Sequence, residues 1–489
     1  MLSALQHHFH AFVGLMRFLL LLAALMSIKI APLFELEHVR FELNRDRALS
    51  FCFDAFPSTA FSSEVDAAKP VVFILWGDIM SEKWFLRASM LAAACLWASP
   101  SFSQGFSLPD GPGKESVSAI CGSCHDISRL GAGYTPEGWN TVVTMMVNFG
   151  APIPRNQIAT IKDYLTKSFP ERPRPAAAII PGPVEATIKE WPVPTPGSRP
   201  HDPWVTQDGA IWYSGQLSNK LGRLDPKTGE VKEFQLAAQT GPHGITADKE
   251  GNIWYAGNFQ GLIGKYDPKT GKVTEYPLPD PAARDPHTLV FDQNGILWFT
   301  VQQANMIGRL DPATGDIKLL TSPTTKSRPY GIQINSKGVP FYVDFGAAKI
   351  SSIDPKTFQI REYPLPDAAA RPRRLAIDDH DIIYYADFSR GFLGRLDPQT
   401  GQVTEWQSPS GPKSEPYGIV FTKGAIWYSE SFAKPTTIVR FDPKTEKFQS
   451  WAIPGPMGGD IVRNMAITPD GNPVVANSLS NEVGLVDVK

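Results

Sequence analysis

Seven related units follow one another through the C-terminal part of the chain, and this repeat most constrains the fold. Pro200-His201, Pro242-His243, Pro286-His287, Pro329-Tyr330, Pro372-Arg373, Pro416-Tyr417 and Val462-Arg463 stand 42, 44, 43, 43, 44 and 46 residues apart. Aromatic strands follow at matching places: Ile211-Trp212-Tyr213, Ile253-Trp254-Tyr255, Leu297-Trp298-Phe299 and Ile426-Trp427-Tyr428. A further strand then runs into a turn such as Asp225-Pro226-Lys227-Thr228-Gly229 or Asp397-Pro398-Gln399-Thr400-Gly401. Proline presets φ in that turn and glycine supplies its left-handed position. A fourth strand, Val273-Thr274-Glu275-Tyr276-Pro277 in the second unit, completes the set. Four short strands at this period predict a β-propeller.

The last unit reaches Lys489 after three strands. The stretch Thr187-Ile188-Lys189-Glu190-Trp191-Pro192, ahead of the first unit, has the form of the missing fourth. Residues 187–489 are therefore expected to close seven blades, with both ends of the segment sharing one blade and leaving no free sheet edge. The tryptophans are expected in the core between blades. The 44 Pro and 40 Gly suit such a turn-rich architecture, and a net charge of −2 without a basic stripe excludes a nucleic-acid footprint.

Ahead of the repeats lies Cys121-Gly122-Ser123-Cys124-His125. Two thiols three positions apart, followed at once by an imidazole, form the attachment pattern of c-type haem. A zinc site needs two more ligands at matching spacing, and this segment has no second cysteine pair. Cys52 and Cys95 are the other cysteines, so no disulfide framework is implied. Residues 104–170 are expected to form a small all-α domain. Lys114 to Ile120 reads as a short helix leading into the motif. Thr135-Pro136-Glu137 is a helix start, opening a helix with Trp139, Val142, Val143 and Met146 on one face. Gly150 and Pro152 end it. Pro154 opens a second amphipathic helix carrying Ile158, Ile161 and Leu165.

The N-terminal region sets the expected compartment. Met80 to Arg87 is a short basic leader, Ala88 to Ala98 an apolar run, and Ser101-Phe102-Ser103 a small-residue cleavage site. Residues 80–103 thus read as a signal peptide and residues 1–79 as a spurious upstream extension. The mature chain would begin near Gln104 in the bacterial periplasm, with no integral membrane span. Residues 171–186, rich in proline and alanine, read as a semi-rigid linker.

The haem segment resembles the small cytochrome c family, whose members pair this motif with a distal methionine. The resemblance makes Cys121 and Cys124 the covalent anchors of one haem c. It also makes His125 and Met146 the axial ligands, with Met145 the alternative to Met146. The repeats resemble the streptogramin B (virginiamycin B) lyase family of seven-bladed propellers, through their Pro-His-Gly-Ile, Ile-Trp-Tyr and Ile-Gly-Arg-Leu elements. That resemblance implies C–O cleavage by β-elimination, with a His as base and Mg²⁺ near acidic residues. The family's Glu-Pro-His-Gly-Ile falls on Glu415-Pro416-Tyr417-Gly418-Ile419 and its second His on Arg373, so lyase activity is doubtful in this register. A phenol of ordinary pKa is a poor base at neutral pH. A rotated register offers His243, Asp285 and His287 as the catalytic set. His201, His243 and His287 also stand at equivalent places on adjacent blades, where three imidazoles could bind a metal or an anionic substrate.

Three functions remain open on the sequence. One is a cytochrome-propeller protein in electron transfer, whose propeller binds a small-molecule substrate or a redox partner. A second is a Mg-dependent C–O lyase with an accessory haem. A third is a non-catalytic propeller that delivers a cytochrome to a partner. The flavin and nicotinamide glycine motifs are missing, so any oxidoreductase role rests on the haem.

Overall fold

A computed structural model describes residues 107–123, 127–148, 150–454 and 461–489. The expected leader and upstream extension lie outside the described residues, as do Cys124 and His125. Among the described residues no helix is long and apolar enough to cross a membrane.

Seven four-stranded antiparallel sheets form the propeller. Blade 1 runs outward through Pro200–Val205, Ile211–Gly215, Lys220–Leu224 and Val231–Gln235. Blades 2 to 6 repeat the order, their innermost strands being Pro242–Ala247, Pro286–Phe291, Pro329–Ile334, Pro372–Ile377 and Pro416–Thr422. Blade 7 takes Val462–Ile467, Pro473–Asn477 and Glu482–Val488 from the C-terminal end and Ala186–Pro192 as its outer strand. That outer strand pairs with Glu482–Val488 from Ala186↔Val488 to Pro192↔Glu482, so the ring closes as expected.

The repeated motifs serve packing. In Ile-Gly-Arg-Leu the glycine lies under an aromatic ring of the neighbouring strand: a Cβ on Gly308 would stand 2.0 Å from Phe299 Cζ. In Pro-His-Gly-Ile a Cβ on Gly244 would meet the His287 carbonyl oxygen of the next blade at 2.4 Å. The tryptophans of the aromatic strands are core, with Trp254, Trp298 and Trp427 at most 1% exposed. Trp254 stacks on Tyr276 and Trp427 on Trp451.

The helical segment opens with α1 (Lys114–Ser116), continued by a wider turn over Val117–Cys121. Helix α2 (Pro136–Asn148) starts where the threonine–proline pair predicts, and Thr135 Oγ1 accepts the Gly138 N–H at 3.1 Å. Helix α3 (Ile158–Ser168) buries Ile161, Tyr164 and Leu165. Its core joins these to Val117, Trp139, Val143 and Phe169. Trp139 Nε1 donates to the Phe169 carbonyl at 2.8 Å.

The linker is docked. Ala177 N donates to the Lys434 carbonyl and Ala178 N to Ser410 Oγ; Ser450 N donates to the Ile180 carbonyl, and Ile180 N to Ser450 Oγ. The spacer thus lies along blade 6 as a strap.

Candidate functional site: a ringed channel mouth

The innermost strand of every blade carries a register shift just after its first residue, for example between Pro200 and Pro203 in blade 1. A bulge re-aims the side chains around it. Two consecutive residues of several blades meet those of other blades around the axis.

The upper ring consists of His201, His243, His287, Tyr330, Arg373, Tyr417 and Arg463, one per blade. The rings of His201 and His243 have centroids 3.7 Å apart, as do those of His243 and His287, and His287 and Tyr330 follow at 3.9 Å. Arg373 Cζ lies 4.0 Å from the centroid of Tyr417 and 4.1 Å from that of Phe388. The hydroxyls of Tyr330 and Tyr417 share a short hydrogen bond. The main chain at this level locks the blades: Ser214 Oγ donates to the His243 carbonyl, and Thr300 Oγ1 to that of Tyr330.

The lower ring was not foreseen. Asp202, Thr288, Arg374 and Asn464 stand where other repeats have glycine. Arg374 Nη2 lies 3.0 and 3.1 Å from the two Asp202 carboxylate oxygens, crossing from blade 5 to blade 1. Arg374 Nη1 reaches Thr288 Oγ1 at 2.9 Å, and Asn464 Nδ2 reaches Asp202 Oδ2 at 2.9 Å. This buried cluster ties blades 1, 3, 5 and 7 together.

Above the rings stand Arg199, Asp285, Arg328 and Glu415, each the residue before a strand-opening proline. Arg199, Arg328 and Glu415 hold positive φ angles of 56°, 54° and 51°, where Gly241 sits in blade 2. Charged residues keep a conformation disfavoured for side chains, a form of strain that clusters at functional sites. Two of them meet the helical segment's end of the chain. Arg199 Nη1 donates to Met145 Sδ at 3.0 Å. Glu415 pairs at 3.2 Å with Arg172, whose Nε donates to the Ala132 carbonyl at 2.6 Å.

Electrostatics follow from burial and this crowding of guanidinium groups. Burial, reinforced by Arg463, holds His201 well below the ordinary imidazole range; burial and the neighbouring imidazole do the same for His243 and His287. All three are neutral at pH 7. His201 Nδ1 lies 2.8 Å from Asp202 Oδ1, which makes that nitrogen the donor and leaves Nε2 as acceptor. Burial and the nearby Arg463 lower Arg199 to about 9. Burial works against ionisation of Tyr417, yet Arg373, Arg463 and Arg374 hold its hydroxyl below the ordinary phenol range. Tyr330 is pushed up to about 12, chiefly by burial. Tyr417 is thus not the ordinary phenol assumed in judging it a poor base.

The structure brings His243 and His287 together. It turns the Asp285 carboxylate to the Gln303 N–H at 2.8 Å, and burial pushes that group up to about 7. The carboxylate beside the imidazoles is Asp202. His201, Asp202 and His243 offer ligand atoms within 4.8 Å of one another. Mg²⁺ fits them poorly, because Arg374 and Asn464 already engage both Asp202 oxygens and guanidinium groups surround the site. For a haem the described surroundings fit: half-buried Cys121 and the partly covered Ile120, Ile127, Val142 and Ile153 all pack on the same helical core. The missed residues carried one signal, the replacement of repeat glycines by Asp202, Thr288, Arg374 and Asn464.

Residues 178–441 match the virginiamycin B lyase family. A streptogramin B lyase structure is 26% identical with a TM-score of 0.57, covering 62% of this chain and 98% of that one. Virginiamycin B lyase from Staphylococcus aureus is 21% identical with a TM-score of 0.57, covering 62% and 99%. Hydrazine synthase from Kuenenia stuttgartiensis shares the fold at 13% identity and a TM-score of 0.51, covering 60% and 97%. No curated protein matches the chain in sequence.

Proposed function

The chain belongs to the virginiamycin B lyase family, and from that premise we propose that it is an exported c-type cytochrome-propeller protein of electron transfer rather than a lyase. In this reading residues 80–103 direct export to the periplasm, Cys121 and Cys124 anchor one haem c, and His125 and Met146 ligate its iron. The haem supplies one-electron transfer. The propeller's channel mouth, roofed in part by the helical segment, binds the substrate or redox partner.

One observation carries the reading: Arg199 at the channel mouth holds the Met145 sulfur of α2. It couples the haem-bearing segment to the ringed site, and it leaves Met146 as the thioether for the iron. The docked strap and the Arg172–Glu415 pair support the same placement. Departure from elimination chemistry is supported by Tyr417 and Arg373 at the two places where the family resemblance puts histidines. The capture of Asp202 by Arg374 supports it too.

The test is a spectrum of the full chain made with cytochrome maturation machinery. Covalent haem is expected, lost in the Cys121→Ser/Cys124→Ser variant. The weak far-red sulfur-to-iron band should vanish in Met146→Leu and persist in Met145→Leu. The same preparation, incubated with a streptogramin B antibiotic and Mg²⁺, should give no linearised product. A haem-free protein that opens the antibiotic would overturn the proposal.

A further inference from the structure

Arg199, Arg373 and Arg463 crowd around Tyr417 at the channel mouth with no carboxylate in direct contact, Glu415 acting on Arg373 only from a distance. Among the described residues none of the three forms an ion pair. The nearby carboxylates are committed elsewhere, Asp202 to Arg374 and Glu415 to Arg172. Three buried nitrogens of this region have no hydrogen-bond partner: Arg199 Nε, Arg373 Nε and His243 Nδ1. Arg199 is 7% exposed and His243 4%. Buried donors left unpaired are costly, and a native site that holds several in one place is built to be satisfied from outside.

We propose that the channel mouth is a binding site for a small oxyanion, a carboxylate or an inorganic oxyanion, held by Arg199, Arg373 and Arg463. Guanidinium forks match such oxygens in charge and geometry. The packing limits size, since adjacent imidazole centroids are 3.7 Å apart and Arg373 lies between Tyr417 and Phe388. Only a ligand of a few atoms, or one carboxylate of a larger one, reaches the guanidinium groups. Burial, with repulsion from Arg463 added, disfavours the charge on Arg199, and an entering anion offsets both. A cation would meet the same guanidinium groups as repulsion.

The ligand class rests on reading the channel mouth as the binding part of the protein; it does not rest on the haem. The experiment is calorimetric titration of the full chain with acetate, the larger carboxylate succinate, nitrite and phosphate in turn, at low chloride. Acetate and a larger carboxylate binding alike, with phosphate and nitrite silent, marks an organic acid as the natural ligand. The reverse marks an inorganic oxyanion. Either way Arg463→Gln and Arg373→Gln should each weaken binding by about tenfold or more, the loss of one charge-assisted bond. Because Arg373 also packs between two rings, Arg463→Gln is the deciding variant, with its thermal melt checked alongside. A second readout is the near-ultraviolet phenolate band of Tyr417: anion binding should shift its titration to higher pH, and Tyr417→Phe should abolish that signal. No binding of any probe, or binding untouched by Arg463→Gln in a folded protein, overturns the inference. Haem-loaded protein that binds no anion would sink this site while leaving the electron-transfer reading intact. Anion binding by a chain that acquires no haem from the maturation machinery would keep this site while sinking the electron-transfer reading.

Discussion

Asp285 precedes the Pro286-His287 pair at the channel mouth, and its charge is disfavoured there. Burial is the dominant cause, outweighing the Gln303 N–H and Arg328, and the carboxyl rises to about 7 from an ordinary 3.8. The protonated form is therefore favoured in the folded chain. Its contribution to stability is complete below the unfolded value and is lost as pH rises through the folded one. An amide mimics the protonated acid and can still accept the Gln303 bond. Asp285→Asn should melt higher than the parent in mildly alkaline buffer, by on the order of 1.4 kcal/mol for each tenfold difference in the carboxyl's proton affinity between folded and unfolded chain. The gap should close towards about pH 4. Parallel melts of the two proteins across pH decide it: equal pH profiles would show that the carboxyl is not perturbed. The channel histidines push the other way. Their pKa values are lowered by burial, so stability drains as pH falls below the ordinary imidazole value.

Each blade is a four-stranded sheet, and in blades 1, 2, 3 and 5 the second and third strands are joined by an aromatic-on-glycine pair. Tyr213 faces Gly222, Tyr255 faces Gly264, Phe299 faces Gly308 and Tyr385 faces Gly394 in register. Gly264→Ala drives a methyl into the Tyr255 ring and should cost about 1–3 kcal/mol by overpacking. Urea unfolding measures this, and an unchanged midpoint would refute the packing argument. These pairs, the Asp-Pro-x-Thr-Gly turns and the shared last blade were legible because each is a local pattern repeated at fixed spacing. The lower ring was not. Strict alternation along a strand sends His201 and Asp202 to opposite faces, whereas the bulge after Pro200 defeats that alternation. Hence Asp202 and Arg374 escaped notice although the glycines they replace were in view. The pairing of Asp285 with two imidazoles rested on sequence neighbourhood, and a backbone N–H takes that carboxylate instead.

At the scale of the molecule two devices hold distant parts of the chain together. The strand Ala186–Pro192 closes the ring, so no blade has an unpaired edge beside another. The strap just before it ties the helical segment to blade 6. Composition marked this stretch as a spacer, because proline and alanine give no amphipathic pattern. Its anchors are main-chain groups bonded to Ser410 and Ser450, which no pattern within the strap announces. Ile179 projects from it 54% exposed, and still its neighbours on both sides are bonded to blade 6. Cleavage by an apolar-specific protease at Ile179–Ile180 therefore requires the strap to lift. Each anchoring hydrogen bond is worth about 0.5–1.5 kcal/mol, so Ser410→Ala with Ser450→Ala should raise the lifted population roughly tenfold or more. Thermolysin should cut the double variant faster by that factor, since cleavage of a transiently opened segment follows its open population. The propeller's melting temperature should fall only modestly: blade 6 keeps its sheet ladder, and buried Glu430, which loses the Ser410 hydroxyl, keeps the Ser410 N–H and Thr437 hydroxyl. Parent and variant cut at one rate would mean that the strap is already free, and the helical segment would then be tethered to the channel mouth rather than seated on it.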